Sequence, residues 1–363
     1  MKIIEIIPQL SQGGAERFVV DLCNEFAKEH KVLLVVLHGM DKHGFFEKEL
    51  ADNVQLISLD KSMGIDWRLF YRIAKLIYKE KPDVVHTHLR AILYCCVACA
   101  ISRKIKFIHT IHSEASRETG GVIGKWCRKF LFGFRRVHPI TISEESQRSF
   151  REFYRLPSTL IYNGRPAYGE NSDLSIVKKE LLGLRTNPKA KVVVNVARIS
   201  KVKNQIALVN AIDNLNRNGY AIELAIIGEM GDKEIVNEIN SLQSPHIHLL
   251  GTRTNPRDYM KVADAFCLTS VHEGMPITLI ECFSVGAIPL CTPAGGIVNM
   301  IKDEENGLLA KNSAQEDIEE MFIRFLSLEN SVIDNMKSQS KISFCSFNMS
   351  TCAERYIQTI DNL

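Results

Sequence analysis

Short apolar runs alternate with amphipathic stretches along the whole chain. Residues 2–7 read as a strand, Gln9 to Arg17 as a glycine turn, and Phe18, Val19, Leu22, Cys23 and Phe26 as the apolar face of a helix. Further strands are expected at Val32–Leu37, Val54–Leu59, Asp83–His86, Phe107–Ile111, Ile140–Ser143 and Thr159–Tyr162, with a helix over Asp66–Lys79. Residues 163–173 are rich in turn formers and read as a linker. The alternation then resumes, with strands at Lys191–Ala197, Ile222–Ile227, Ile247–Leu250 and Ala265–Leu268, and helices over about Asn204–Asn216 and Pro256–Val262. Residues 313–363 read as helical. Apolar strands joined by helical crossovers imply parallel sheets covered on both faces. The fold class is therefore α/β, with two doubly wound Rossmann-like domains. Residues 1–168 form the first, with helix 346–363 packing back on it, and residues 169–345 form the second.

Residues 272–296 organise the second domain. They read as a turn, a helix and a strand, with Glu273 before the helix and Glu281 on its second turn. Gly274 permits close backbone approach, and Pro276 is suited to the first helical turn, which predicts a helix from about Met275 to about Val285. The N–H groups at such a helix end attract phosphate. Taken alone, the pair reads more plainly as a cap at Glu273 and a solvated helix residue at Glu281. Arg198 and Lys203 follow the strand Lys191–Ala197, where open α/β sheets hold ligands. Two cations and a helix N-terminus suit a diphosphate; surface cations are the plain alternative.

Charge adds an asymmetry. Residues 1–170 hold 26 Lys/Arg against 19 Asp/Glu, and the remainder 19 against 23. A basic first half suits an anionic acceptor or membrane surface, but it lacks the dense clusters of a nucleic-acid binder, so no nucleic-acid partner is expected. Most of the ten cysteines sit in apolar runs and read as reduced core thiols, including the Cys96–Cys99 pair; no metal is expected there. No signal peptide opens the chain, and no apolar run approaches the ~20 residues of a membrane span. The expected location is cytoplasmic, with peripheral attachment open.

Three features of the first half are candidates for function. Gly13-Gly14 either lets a ligand approach the end of the first strand or simply makes a tight turn. The strand ends carry His86, His88, His109 and His112, of which His112, followed by Ser113 and Glu114, is the best placed to reach a ligand; a structural donor is the alternative. Residues 124–136 mix cations and aromatics at helical spacing, either to lie in a membrane interface or to bury the aromatics in the domain core.

Together these residues resemble the GT-B glycosyltransferases of the family 4-like retaining group (glycosyl transferases group 1). The resemblance spans nearly the whole chain. It rests on Glu273 and Glu281 within Ser270 to Pro276 and beyond, Gly286, Pro289, Gly295-Gly296, Asn306-Gly307-Leu308, the pair Arg198 and Lys203, Gly13-Gly14, His112 and Asn163-Gly164. It implies two domains facing a cleft, an acceptor bound by the first and a nucleotide-diphosphate sugar, a UDP-sugar by expectation, bound by the second. It further implies that His112, Arg198, Lys203 and Glu273 serve catalysis. Gly13, Gly14, Arg198, Lys203, Glu273, Gly274, Met275, Pro276, Ile277 and Glu281 would bind the donor, with Glu273 on the sugar hydroxyls and Glu281 on the ribose. The acceptor would be a glycan or polyprenyl-linked sugar in surface polysaccharide synthesis. The reaction would be metal-independent and need no cofactor, fixed cations replacing a divalent ion. Asn299 stands where the family often has Glu, and Ala197 where Gly is common. A GT-B epimerase or hydrolase of the nucleotide sugar and a non-catalytic GT-B scaffold subunit stay open. A nicotinamide oxidoreductase is disfavoured, since Gly-x-Gly-x-x-Gly is absent after the first strand.

Overall fold

The structure, a computed structural model, describes the chain except for residues 12, 39–45, 63, 120, 135 and 170–173 and the side chain of residue 123. It divides into two compact units: Met1–Pro166 with Phe347–Leu363, and Ala167–Ser346. Unit 1 holds a seven-stranded sheet of β1 (Lys2–Ile7), β2 (Lys31–Val36), β3 (Val54–Ser58), β4 (Val84–His88), β5 (Lys106–Ile111), β6 (His138–Thr141) and β7 (Thr159–Leu160), in the order β3-β2-β1-β4-β5-β6-β7. Unit 2 holds β8 (Lys191–Val196), β9 (Ile222–Ile227), β10 (Ile247–Gly251), β11 (Ala265–Leu268), β12 (Pro289–Cys291) and β13 (Leu308–Leu309), in the order β10-β9-β8-β11-β12-β13. Every described pairing is parallel. These are two Rossmann-like domains. The helices that position polar groups are α1 (Gly14–Phe26), α2 (Val122–Gly133), α3 (Gln205–Arg217), α4 (Ile277–Val285) and α5 (Met349–Asp361).

The central strands are buried beyond their opening lysines Lys2, Lys31 and Lys191 because helices cover both faces, which is why Val and Ile fill them. Each unit has its own core. In unit 1, Ile4, Ile6, Leu33, Val35 and Val85 pack with Ile73, Phe107, Phe132 and Phe150. In unit 2, Val193, Leu224, Ile226 and Cys267 pack with Leu208, Ile212 and Phe322.

Three local expectations are corrected. Pro276 has ψ of 119°, so it is the residue before α4 and not part of its first turn; the helix starts at Ile277 instead of Met275. The start of the expected linker is fixed structure. Arg165 N–H donates to Phe347 O at 2.9 Å, Met349 N–H donates back to Arg165 O at 2.9 Å, and Arg165 is buried against Asp21. Residues 170–173 of that stretch lie outside the described residues. The helical tail is broken, with α5 preceded by separate helices at Gln315–Leu326 and Asn330–Ser343. In α5, Tyr356 is fully buried, with its ring near those of Phe18 and Phe26 of α1.

Gly164 is where the returning chain meets β7's exit. A Cβ there would lie 2.8 Å from both Met349 Cα and Cys352 Cβ, and two of its three nearest atoms are backbone. Neither neighbour can swing aside, so Gly164→Ala should cost about 1–3 kcal/mol by overpacking, read as a lower midpoint in urea unfolding.

Candidate active site

In unit 2 the strand order reverses between β8 and β11, and the loops leaving these strands are bonded together. Val271 N–H donates to Val202 O at 2.9 Å, and Thr269 Oγ1 donates to Lys203 O at 3.3 Å. Asn204, in the left-handed region at φ of 57°, ends the β8 loop and donates from Nδ2 to Ser313 O at 2.9 Å. Gln205, fully buried at the start of α3, takes Ser200 N–H at 3.3 Å and donates to Arg198 O at 3.1 Å. The loop carrying both cations is thus held at several points.

On this frame Lys203 Nζ lies 2.5 Å from Glu273 Oε1, which also accepts from Ser270 Oγ at 2.6 Å. Gly274 O accepts from Gly296 N–H at 3.1 Å, and Thr292 Oγ1 donates to Ser270 O at 2.6 Å, so the β12 exit supports the turn before α4. Met275, Pro276 and Ile277 are buried, and their backbone leads into the N-terminus of α4. Glu281 is 6% exposed on the second turn of α4, which corrects the reading of it as solvated. Arg198 is exposed and lines an open hollow of about 590 Å³ with Ser200, Glu229, Gly231 and Lys233. A Cβ on Gly231 would lie 2.9 Å from Arg198 Cγ, so glycine leaves the room that the arginine stem uses. Fixed cations and a helix N-terminus at one sheet end suit a polyanion.

Unit 1 holds the second polar cluster, also at a reversal of strand order, between β1 and β4. Glu5 pairs in register with His86, and His88 with Thr110. Glu5, His86, His88 and Thr110 are fully buried. Glu5 contacts His86 Nδ1 at 3.1 Å and His88 Nε2 at 2.7 Å. His86 Nε2 lies 2.7 Å from Thr110 Oγ1, which lies 2.8 Å from Tyr356 Oη. His88 Nδ1 lies 2.9 Å from His112 Nε2. Burial pushes Glu5 up and holds His86, His88 and His112 down at about 3, so the imidazoles are neutral. Glu5, His86 and His88 place ligand atoms within 4.8 Å of one another, a spacing compatible with a metal ion.

The turns after β4 and β5 are braced by Arg128 of α2 and by Glu118 of the short helix Ala115–Glu118. Glu118 Oε1 accepts from His112 N–H at 2.6 Å, and its other oxygen lies 3.6 Å from Arg128 Nη1. Arg128 is 1% exposed and donates from Nη2 to O of Leu89, whose φ of 54° is uncommon for a leucine. Residues 124–136 do not keep all their charges in water, because Arg128 is interior; nor do they bury all their aromatics. Trp126, Phe130 and Phe134 are 62%, 60% and 67% exposed, whereas Leu131 and Phe132 are buried.

Comparison with known proteins places this geometry in a family. The Glycosyltransferase Family 4 profile matches residues 12–166, and the Glycosyl transferases group 1 profile matches residues 180–342. The chain is 25% identical, over 99% of its length and 98% of the other, to the Campylobacter jejuni GalNAc-alpha-(1->4)-GalNAc-alpha-(1->3)-diNAcBac-PP-undecaprenol alpha-1,4-N-acetyl-D-galactosaminyltransferase. The Anabaena protein Alr3699/HepE, solved with UDP and glucose, superposes with a TM-score of 0.84 at 19% identity, covering both chains completely. The chain is a GT-B glycosyltransferase of the family 4 type. A second relative of this glycosyltransferase, the Escherichia coli UDP-Gal:alpha-D-GlcNAc-diphosphoundecaprenol alpha-1,3-galactosyltransferase, is 26% identical over 73% of this chain and 70% of its own.

Within unit 2 the structure brings Lys203 and Glu273 into contact and sets Arg198 on the same loop as Lys203. Gly13 and Gly14 stand at the start of α1 in unit 1, where the buried Glu16 side chain folds against Gly13. Several residues that shape the glycosyltransferase's sites were not singled out from sequence. Glu5 is the clearest: a carboxylate inside the apolar run Ile3 to Ile7 must be buried by a sheet covered on both faces, and a buried carboxylate needs partners. Gly231 and Asn195, whose Nδ2 donates to Cys267 O at 2.9 Å, carry weaker signals. Cys96 and Cys99 behave as core thiols, burial pushing Cys99 up to about 12.

The Lys203–Glu273 pair is partly buried, with side-chain exposures of 25% and 10%. Its coupling should be about 0.5–1 kcal/mol, so the Lys203→Met/Glu273→Gln double variant should lose less stability than the two single variants together. Full additivity in urea unfolding would remove the pair from the site's framework.

Proposed function

We propose that this glycosyltransferase moves a sugar from a UDP-sugar to a polyprenyl-linked glycan in surface polysaccharide synthesis, with retention and without a metal. The observation that carries the donor reading is the Lys203–Glu273–Ser270 arrangement at the start of α4, on the loops that also carry Arg198. Lys203 has three N–H donors and spends one on Glu273, leaving others for a diphosphate oxygen. Both contacts of Glu273 fall on Oε1, so Oε2 is the oxygen for a sugar hydroxyl. Glu281 would take the ribose and Arg198 the leaving phosphate. Charge develops on the diphosphate as the sugar departs, and fixed cations stabilise it there. The departing phosphate takes the acceptor hydroxyl's proton on the same face, so retention asks for no carboxylate nucleophile. Losing one such preorganised group costs on the order of 3 kcal/mol, or about 100-fold in rate.

The UDP and polyprenyl assignments are supported by the Anabaena structure solved with UDP and by relatives named for undecaprenyl diphosphate substrates. His112 would face the acceptor in unit 1. Among the described residues no helix is long and apolar enough to cross a membrane. Contact with a lipid surface falls to α2, where Trp126 and Phe130 lie four residues apart and Phe134 follows its last turn, with its ring 4.5 Å from that of Phe130. Lys129 Nζ sits over the Trp126 ring. An exposed aromatic stripe flanked by lysines suits an anionic interface.

Thermal-shift measurements with a panel of nucleoside diphosphates test the donor. UDP at ~100 times its dissociation constant should stabilise the wild type by about 2.7 kcal/mol. The effect should fall away in Lys203→Ala and shrink in Gly231→Ala, where the new methyl displaces the Arg198 stem. Stabilisation by another base alone reassigns the donor, and a Glu273→Ala protein with full transfer removes that carboxylate's role. Hydrolysis or epimerisation of the donor without acceptor would instead favour the nucleotide-sugar hydrolase or epimerase reading.

Vesicle sedimentation tests the surface. Wild type should bind anionic vesicles at low salt, and Trp126→Ala/Phe130→Ala should bind about tenfold less or worse. Equal binding by both proteins assigns the contact to another surface.

A further inference from the structure

The buried cluster in unit 1 has a direction. Five contacts link Tyr356, Thr110, His86, Glu5, His88 and His112 into one branchless chain, at 2.7–3.1 Å. Taking Glu5 as the carboxylate, the form that accepts from both imidazoles facing it, and the imidazoles as neutral, five protons are available for these contacts: two hydroxyl protons and one on each of three rings. One arrangement fills every gap. A carboxylate only accepts, so His86 donates from Nδ1 and His88 from Nε2 to Glu5. His86 Nε2 is then bare and takes the Thr110 hydroxyl proton, and Thr110 accepts from Tyr356. On the other arm His88 Nδ1 is bare, so His112 must donate from Nε2. The remaining ring nitrogen of His112, Nδ1, is left with a lone pair.

We propose that Glu5 is a positioning residue that fixes His112 as the Nε2–H tautomer through His88, presenting Nδ1 as an acceptor for a substrate hydroxyl. Phe18 holds the two rings of this relay from the side, edge-on to His88 at 6.4 Å and to His112 at 5.7 Å between centroids. Glu118 holds the His112 backbone. The lowered basicity of His88 and His112 agrees with this, since neither ring keeps a second proton near neutral pH.

The relay has a second state. A carboxamide at position 5 accepts through its oxygen from one of the two imidazoles and donates from its nitrogen to the other; where the nitrogen faces His88 in Glu5→Gln, the amide N–H goes to His88 Nε2. His88 then donates from Nδ1 to His112 Nε2, and His112 carries its proton on Nδ1. One substitution two residues along the chain of bonds reverses the hydrogen-bonding character of a ring it does not touch.

The test is a long-range proton–nitrogen NMR spectrum of histidine-labelled full-length protein, assigned with His112→Gln. The wild type should show His112 protonated on Nε2 and bare on Nδ1. Glu5→Gln should reverse His112 where the amide nitrogen faces His88, or His86 where it faces His86; Glu5→Asp should restore the wild-type pattern, and Tyr356→Phe should leave His112 in place. A wild-type His112 protonated on Nδ1 overturns the proposal even where Glu5→Gln does not fold, and so does a folded Glu5→Gln in which neither His112 nor His86 changes tautomer. Metal analysis finding one equivalent of ion on the purified protein also overturns it, because Glu5, His86 and His88 would then be ligands. The contribution to transfer rests on the acceptor role proposed for His112, but the spectrum is read without substrate, so the two stand or fall separately. If both hold, kcat/KM in Glu5→Gln drops about tenfold and recovers in Glu5→Asp.

Discussion

In each sheet the order of strands reverses once, between β1 and β4 and between β8 and β11. Right-handed crossovers send the connecting helices from that point to opposite faces, which leaves the carboxyl ends of the two central strands uncovered. Polar side chains can stand there without disturbing a helix packed on them. Both clusters of this glycosyltransferase use that opening. Glu5 and His88 come from β1 and β4, with His112 just beyond β5; Arg198 and Lys203 follow β8, and Ser270 and Glu273 follow β11.

The two openings are filled by opposite physics. Unit 2 keeps its charges near water: Arg198 is exposed, and the Lys203–Glu273 pair is only partly buried. Ionised groups at such a site retain their charge at little desolvation cost and meet a polyanion directly. In unit 1 burial has driven the imidazoles neutral, and the carboxylate is matched proton for proton by neighbours. A buried polar chain of this kind is stable only when every member is satisfied. That makes it poor at holding a diphosphate and well suited to fixing the orientation of one ring at its end.

Much of the fold was legible because its signal is periodic. Strands Ile222–Ile227 and Ala265–Leu268 and the helix Pro256–Val262 match the apolar pattern residue for residue. The two-residue strand β13 gave no comparable signal; Leu308-Leu309 is placed by pairing with Leu290 and Cys291, a contact made in three dimensions. Of the candidate site, the cations and Glu273 could be read from their places at strand ends. Arg128 could not. In sequence it belongs to a basic aromatic stretch, yet it is turned inward to Glu118 and Leu89 because the turn after β4 leaves a carbonyl to be satisfied. Glu5 was legible in principle, as one charge in a run of isoleucines, but its partners lie some eighty residues away in β4.

The second buried glutamate shows why partner type decides what such a residue does. Glu223 lies inside β9 as Glu5 lies inside β1, and both are fully buried. Burial pushes each up. In Glu223 the Thr186 N–H and hydroxyl, at 2.9 and 2.5 Å, together with His248 and His246, outweigh burial and hold it below its ordinary value. A carboxyl lowered on folding contributes stability above its unfolded value and loses it as pH falls through the folded one. Glu223 therefore ties the 186 turn to the sheet at neutral pH and loosens it in acid. Glu5 has no backbone donor among its contacts and remains raised, its donors being two imidazoles whose second nitrogens are committed elsewhere. In the proposed relay a proton placed on the Glu5 oxygen facing His88 moves one at His112, whereas a proton placed on Glu223 only breaks a local turn. The same residue type, at matching depth in two related sheets, is a clamp in one and an inner link of a hydrogen-bonded chain in the other.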